Sequence, residues 1–210
     1  CTLKLTPVGD KTELRAKGPH ITLGYLNNPQ ATEAAFDAEG FFKLGDAVRL
    51  ADPERPEAGL AFVGRIAEEF KLSSGAWVAA GKVRVDVLTA MDGALTDLVI
   101  CGEGEADIRA LGFLNLAYCQ RLVGAPLGLT ELAAHPQLTD FVQAGLALYN
   151  QHNPNPSAKV AALLLLPDMP DADSGEITDK GYLNQARLRE QRAEKVAEVY
   201  AAESPAVIRA

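Results

Sequence analysis

The sequence predicts an α+β protein in two parts, and three observations carry that prediction. Residues 1–50 read as short strands punctuated by Gly and Pro, with one brief helix among them. Beyond residue 80 the pattern changes to strands alternating with longer helical stretches. Between them an apolar run, Leu60-Ala61-Phe62-Val63, ends in Gly64-Arg65; a short second run and the turn Ser73-Ser74-Gly75 follow. That segment divides the chain into residues 1–64 and residues 65–210, and it reads as a hinge.

In order along the chain, Leu3 and Leu5 alternate with polar residues, Gly9-Asp10 supplies a two-residue turn, and residues 13–17 alternate back, predicting a hairpin. Gly18-Pro19 interrupts it, and residues 20–25 are expected to form a third strand. Asn28 before Pro29 is an N-cap with proline at the first helical position, opening a short helix through Ala31, Ala34, Ala35 and Phe36. Residues 37–40 form a turn, and residues 41–44 a strand ending at Gly45-Asp46. A mainly β piece of this size buries too little surface to stand comfortably alone, and is expected to be the tail of a larger domain.

In the second part, residues 82–90 carry a weak helical face through Val83 and Val87, and residues 97–101 and 110–114 are strand-like around the tight turn 102–104. Residues 115–123 read as helical before the breaker Gly124-Ala125-Pro126, and residues 130–134 as a capped helical turn. From Pro136 onward, Leu138, Phe141, Val142, Gly145, Leu146 and Tyr149 recur at three and four, which predicts an amphipathic helix. Residues 151–157 are a loop, 160–166 a buried strand, 167–174 an acidic loop. One last helix is expected over 184–202, with Ala186, Ala193, Val196, Ala197 and Tyr200 on its apolar side.

Composition narrows the function. The chain has 210 residues and a net charge of −8, with lysine and arginine scattered among acids. A phosphate backbone or an anionic bilayer would be repelled, so neither nucleic acid nor membrane is an expected partner. No apolar run is long enough to span a bilayer and no leader opens the chain, so a cytoplasmic protein is expected. Cys1, Cys101 and Cys119 are odd in number and widely spaced, and the three histidines are dispersed; neither a disulfide framework nor a protein-held metal is expected. Gly102-Glu103-Gly104-Glu105 lacks the third glycine of a dinucleotide loop and puts acids where a pyrophosphate would sit. It reads as a turn, and no nucleophile elbow or phosphate loop occurs elsewhere.

Taken alone, Asp46 is a turn aspartate, Arg65 a surface arginine and Lys180 an exposed loop lysine. Their surroundings alter that. The stretch Gly64-Arg65-Ile66-Ala67-Glu68-Glu69-Phe70-Lys71-Leu72-Ser73-Ser74-Gly75-Ala76-Trp77-Val78 resembles the hinge of the adenylate-forming acyl-CoA ligases, in the version found in feruloyl-CoA synthases. Gly24-Tyr25-Leu26-Asn27-Asn28-Pro29 followed by Gly40-Phe41-Phe42-Lys43-Leu44-Gly45-Asp46 is similar to the family's ribose-binding segment. Gly175-Glu176-Ile177-Thr178-Asp179-Lys180-Gly181-Tyr182-Leu183-Asn184-Gln185 is similar to the feruloyl-type form of its C-terminal lysine motif.

The resemblance implies that residues 1–64 are the mainly β end of a large adenylation domain, and 65–210 the hinge and a small α+β lid. It implies that Asp46 accepts hydrogen bonds from ribose hydroxyls of ATP, since an ionised carboxylate suits a cis-diol. Arg65 would face the nucleotide as a fixed planar donor. Lys180 would swing onto the reacting carboxylate and α-phosphate, stabilising charge as pyrophosphate departs. Ser73, Ser74 and Gly75 would approach the pantetheine arm of coenzyme A, whereas Trp77 is expected in a core or interface rather than stacked on CoA.

Ala67 departs from the Asp or Lys common at the pivot, so turning would rest on backbone torsions. ATP, Mg2+ and coenzyme A are the implied cofactors, held mainly by residues upstream of Cys1, and an aromatic carboxylic acid such as ferulate is the implied substrate. The piece alone is expected to be inactive. The rival readings are a non-catalytic α+β binding module and a ligase that loads a carrier-protein thiol.

Overall fold

The structure, a computed structural model, describes residues 1–8, 11–66, 69–202 and 204–210. The chain divides into two compact units, Cys1–Ala67 and Glu68–Ala210.

The first unit is a four-stranded antiparallel meander of β1 (Thr2–Val8), β2 (Lys11–Lys17), β3 (Phe42–Leu50) and β4 (Leu60–Arg65), with helix α1 (Pro29–Ala35) between β2 and β3. The Asn28 side chain accepts the Ala31 N–H at 3.0 Å and caps α1 as its sequence predicts. The Gly9-Asp10 turn lies outside the described residues. The strand expected over 20–25 does not form. β2 is already paired on both edges, by β1 and β3, and residues 20–25 instead make local bonds, Ile21 N–H to Gly18 C=O and Tyr25 N–H to Thr32 Oγ1.

The strand expected to stop at Gly45-Asp46 continues to Leu50. Arg15 pairs with Lys43 and Leu14 with Asp46, so Leu44 and Gly45 are extra residues of a bulge. Gly45 takes φ +71, which a glycine adopts without strain. The glycine that reads as a strand end is a bend within the strand.

Residues directly opposite in a ladder share a face. Leu5, Leu14, Asp46 and Arg65 therefore form one row across all four strands, flanked by the pairs Leu3 with Ala16 and Val48 with Phe62. Apart from Asp46 and Arg65 this face is apolar; Ala16 and Val48 on it are buried, while Leu3 is 55%, Leu5 43% and Phe62 65% exposed. The opposite face is polar. There Asp37 accepts hydrogen bonds from Lys4, Arg15 and the Phe41 N–H, and that backbone donor leads the causes that hold its carboxyl well below the usual range.

The second unit is a three-layer sandwich. Hairpin β5 (Glu69–Lys71) and β6 (Trp77–Ala79) leads into α2 (Ala80–Ala90), β7 (Leu95–Cys101) and β8 (Ile108–Leu114). Then come α3 (Leu116–Val123), α4 (Leu129–Ala133), α5 (Pro136–His152), β9 (Val160–Leu166), α6 (Gln185–Gln191), α7 (Ala193–Tyr200) and β10 (Val207–Arg209). The sheet runs β10-β9-β8-β7, parallel between β8 and β9 and antiparallel at the other two pairings. Ile108, Ala110 and Leu114 of β8 pack under α2 to α5, while Leu111 and Phe113 face Leu188 and Val199 of α6 and α7. Burial on both faces explains why residues 160–166 form an unbroken apolar run. Gly145 lets α5 cross α2 closely, since a Cβ there would lie 3.0 Å from the Ala90 carbonyl.

Two expectations for this unit need correction. The single helix over 184–202 is broken at Arg192, whose φ of −102 and ψ of 33 end α6 and begin α7. The break shifts the phase, so the buried stripe runs through Leu188, Val196, Val199 and Tyr200, while Ala186, Ala193 and Ala197 are exposed. The edge strand β10 is only three residues long, too short for a sequence pattern to mark it.

Candidate functional site

Asp46 and Arg65 are brought together. They pair directly across β3 and β4, and Arg65 Nη1 donates to Asp46 Oδ1 at 2.5 Å and to the Leu44 carbonyl at 3.0 Å. The bulge gives that bond its geometry, because it swings Leu44 C=O out of the ladder and toward the guanidinium. Among the described residues Asp46 Oδ2 accepts no hydrogen bond, which leaves an acceptor for hydroxyl donors. A half-exposed guanidinium and a free carboxylate oxygen on an apolar face fit a vicinal diol and an adjoining anionic oxygen.

Lys180 stands at the tip of a tight loop between β9 and α6. Thr178 N–H donates to Tyr182 C=O and Gly181 N–H to Thr178 C=O, both at 2.8 Å, and Gly181 takes φ +81. Ile177 and Leu183 bridge at the loop's neck. The side chain is exposed and makes no hydrogen bond or ion pair among the described residues. The ammonium thus stands exposed on a closed turn.

The base of that loop is held by residues that sequence reasoning left without a role. Glu176, 4% exposed, receives Arg192 Nε at 2.7 Å and Arg192 Nη2 at 2.8 Å, a bidentate pair, and also accepts the Asp171 N–H at 2.7 Å. The Arg192 guanidinium beside it holds the Glu176 carboxyl below the usual glutamate range, and Glu176 in turn raises Arg192. Arg192 further donates to Asp168 and to the Met169 carbonyl, and lies over the Phe113 ring at 5.2 Å. On the exit side Gln185 bonds Leu98 C=O at 2.9 Å and Ile100 N–H at 3.1 Å, docking α6 on the free edge of β7. Glu176 and Gln185 both lie within the quoted motif, but nothing in their spacing shows which partners they reach.

Ser73, Ser74 and Gly75 are exposed in the turn joining β5 to β6. Gly75 has φ +83 and open space beside it, so its positive φ, rather than close packing, is the local reason for glycine. The turn is tied to the next one by Ser73 N–H to Glu105 C=O and Gly104 N–H to Lys71 C=O. It shares no hydrogen bond or ion pair with Lys180 among the described residues. Trp77 is partly buried with the Lys71 ammonium 4.7 Å from its ring. Ala67 lies outside the described residues.

Cys101 and Cys119 are buried, and burial pushes the Cys101 thiol up to about 12, unsuited to a nucleophile. Among the described residues no group of His, Cys, Asp or Glu is arranged to hold a metal, and no helix is long and apolar enough to cross a membrane. Among the described residues, clefts of about 340, 280 and 410 Å³ occur, and Asp46, Arg65 and Lys180 do not line these three.

The architecture defines a class first. It matches the adenylation domain of a carboxylic acid reductase from Segniliparus rugosus, solved with AMP and a co-purified carboxylic acid, at a TM-score of 0.72 and 18% identity. That match covers 97% of this chain and 32% of the other. The fold is therefore the mixed α+β fold of adenylation domains in AMP-binding enzymes.

Sequence relatives narrow the class. The mitochondrial malonate–CoA ligase of Bos taurus is 27% identical over 195 residues, covering 90% of this chain and 29% of that protein. An acyl-CoA ligase of Aspergillus oryzae is 44% identical over 69 residues, covering 33% of this chain and 12% of that protein. No protein-family model matches the chain. The chain thus spans less than a third of the relatives it matches, and fold and relatives together support the adenylate-forming acyl-CoA ligase superfamily.

Proposed function

We propose that this chain is the C-terminal portion of an ATP-dependent carboxylate–CoA ligase. In this reading residues 1–64 end a large adenylation domain and residues 65–210 form its hinge and lid. The complete enzyme joins a carboxylic acid to AMP with loss of pyrophosphate, then passes the acyl group to the thiol of coenzyme A. The observation that carries it is Lys180: an exposed, unpaired ammonium on the tip of a closed turn whose two ends are bonded into a packed core. Such a group can enter a reaction centre on another surface without unfolding its own domain. Its positive charge would offset the charge gathering on the α-phosphate as the carboxylate attacks.

Asp46 and Arg65 supply the nucleotide contacts, Asp46 through the free Oδ2 to ribose hydroxyls and Arg65 as donor beside it. Mg2+ enters with ATP. Ser73, Ser74 and Gly75, exposed in one turn, take the position where the pantetheine arm passes, and the pivot falls at Ala67. The apolar face of the first unit supports its assignment to a larger domain, because Leu3, Leu5 and Phe62 are exposed on it. The feruloyl-type motifs point to hydroxycinnamic acids as substrates.

The test is Lys180→Ala in the complete enzyme. Acid-dependent pyrophosphate exchange should fall at least about 100-fold, while thioester formation from supplied acyl-adenylate continues. Equal loss of both steps overturns the role of Lys180. Exchange activity without any thioester on free CoA, over a panel of aromatic and fatty acids, favours a carrier-protein acceptor; no exchange with any acid favours a binding module.

A further inference from the structure

We infer that Glu176 and Arg192 are positioning residues for Lys180: their buried pair sets where the lysine turn stands, and so acts on the adenylation step alone. The inference rests on the reading of Lys180 given above.

Between its core attachments the turn is short. Glu176 precedes Ile177, the first residue of the bridged neck, and Asn184 N–H donates to Glu176 C=O at 2.8 Å, closing entry against exit. Asn184 also caps α6, accepting the Arg187 N–H at 3.2 Å. Backbone closure fixes the turn's shape but not its place on the domain. That place depends on side chains, and on the entry side the buried Glu176 carboxylate is the ionic link, beside Gln191 Nε2 and Arg187 Nε, which donate to the Ser174 carbonyl at 3.0 and 3.4 Å.

One Glu176 oxygen takes Arg192 Nε; the other takes Arg192 Nη2 and the Asp171 N–H. Arg192 completes the clasp through Asp168 and Met169 C=O, so a single guanidinium joins the 168–171 segment, the neck of the turn and the point where α6 gives way to α7. Its side chain is 12% exposed and that of Glu176 5%, so the pair is screened from competing water and ions. A bidentate fork fixes direction as well as distance. Neither residue is itself aimed at solvent, and both act through Lys180.

Gln185 anchors the exit side independently. Loss of the clasp removes the ionic link on the entry side and leaves there the Gln191 and Arg187 contacts to the Ser174 carbonyl and the Glu176 N–H to Asp171 C=O bond, so the turn can tilt about its exit anchor. A reacting group displaced by about 1 Å can lose on the order of 100-fold in rate. Coenzyme A transfer, which does not use Lys180, has no reason to respond.

Two measurements test this. In the 210-residue chain, Glu176→Gln should speed amide exchange at Gly181 and Tyr182 by a larger factor than at Val99 and Leu111 of the central sheet. In the complete enzyme, Glu176→Gln and Arg192→Lys should each lower kcat for pyrophosphate exchange about 10- to 100-fold, with ATP KM and the thioester step nearly unchanged. Asp97→Asn, which weakens the partly buried Arg84–Asp97 pair at α2 and β7, serves as the control for loss of an ion pair elsewhere in the unit and should leave exchange intact.

If Asp97→Asn lowers exchange as much as Glu176→Gln, or if faster amide exchange comes without loss of adenylation while Lys180→Ala abolishes it, the positioning role is overturned. If Lys180→Ala itself has no effect on adenylation, the reading of Lys180 fails instead, and the Glu176 variants show which of the two has gone.

Discussion

At the scale of single residues, charge and burial separate two ion pairs that look alike in sequence. Asp46–Arg65 is half open, and its value lies in the acceptor it leaves unfilled; Glu176–Arg192 is closed, and its value lies in what it holds. Exposed pairs contribute little to stability, whereas removing one partner of a buried pair typically costs about 3 kcal/mol or more. Asp46→Ala should accordingly leave the melting temperature almost unmoved and weaken ATP binding about 10-fold or more, the worth of a charge-assisted hydrogen bond; unchanged ATP affinity by calorimetry removes Asp46 from the site.

Glu176→Gln should destabilise the second unit by about 3 kcal/mol at neutral pH. Because the folded state lowers the Glu176 pKa, its contribution is complete above the unfolded value near 4.3 and fades as pH falls through the lower folded value. The melting-temperature gap between wild type and Glu176→Gln should therefore be wide at pH 7 and narrow progressively below about pH 4. A gap independent of pH contradicts the ionised pair.

At the scale of elements, local chemistry places starts and stops well and continuity poorly. Asn28, Asn115 and Asn184 each cap the helix they precede, and Gly124 closes α3 in the left-handed conformation, all through contacts within a few residues. The break at Arg192 has no such local cause. Nothing near it in sequence forbids helix; it is held by Glu176 and Asp168, 16 and 24 residues away. The bulge at Leu44 and Gly45 is similarly a product of pairing with β2, and it turns an apparent strand end into the seat of Asp46.

Edge strand β7 shows the same dependence, since Gln185 satisfies an N–H and a C=O that no neighbouring strand reaches. Gln185→Ala should cost about 1 to 2 kcal/mol and raise amide exchange at Ile100 specifically. Protection of Ile100 equal to wild type means another group covers that edge.

At the scale of the whole molecule, the two units differ in how complete they are. The second buries its central sheet on both faces, with Phe113, Leu111, Ile108 and Leu163 fully enclosed. In the first, the buried apolar side chains among the described residues are Ala16, Ala47 and Val48, and one sheet face carries exposed leucines. Residues 68–210 expressed alone should unfold in one cooperative transition, whereas residues 1–66 alone should lack one, by calorimetry and near-ultraviolet dichroism. A stable, cooperative first unit contradicts its assignment to a larger domain.

By itself the sequence determined what depends on near neighbours and on residue type: the α+β class, most strand and helix positions, the Asn28 cap, and three motifs that resemble those of the adenylate-forming ligases. Those signals survive without coordinates because alternation, capping and turn chemistry act over a few bonds. Only the tertiary structure decided that Asp46 and Arg65 touch, that one face of their sheet carries exposed leucines, that the last helix is broken, and that Glu176 and Arg192 clasp the base of the lysine turn. Each of these joins residues 16 or more apart in the chain, and which distant side chains meet is set by packing the whole core, not by any pattern a short window of residues contains.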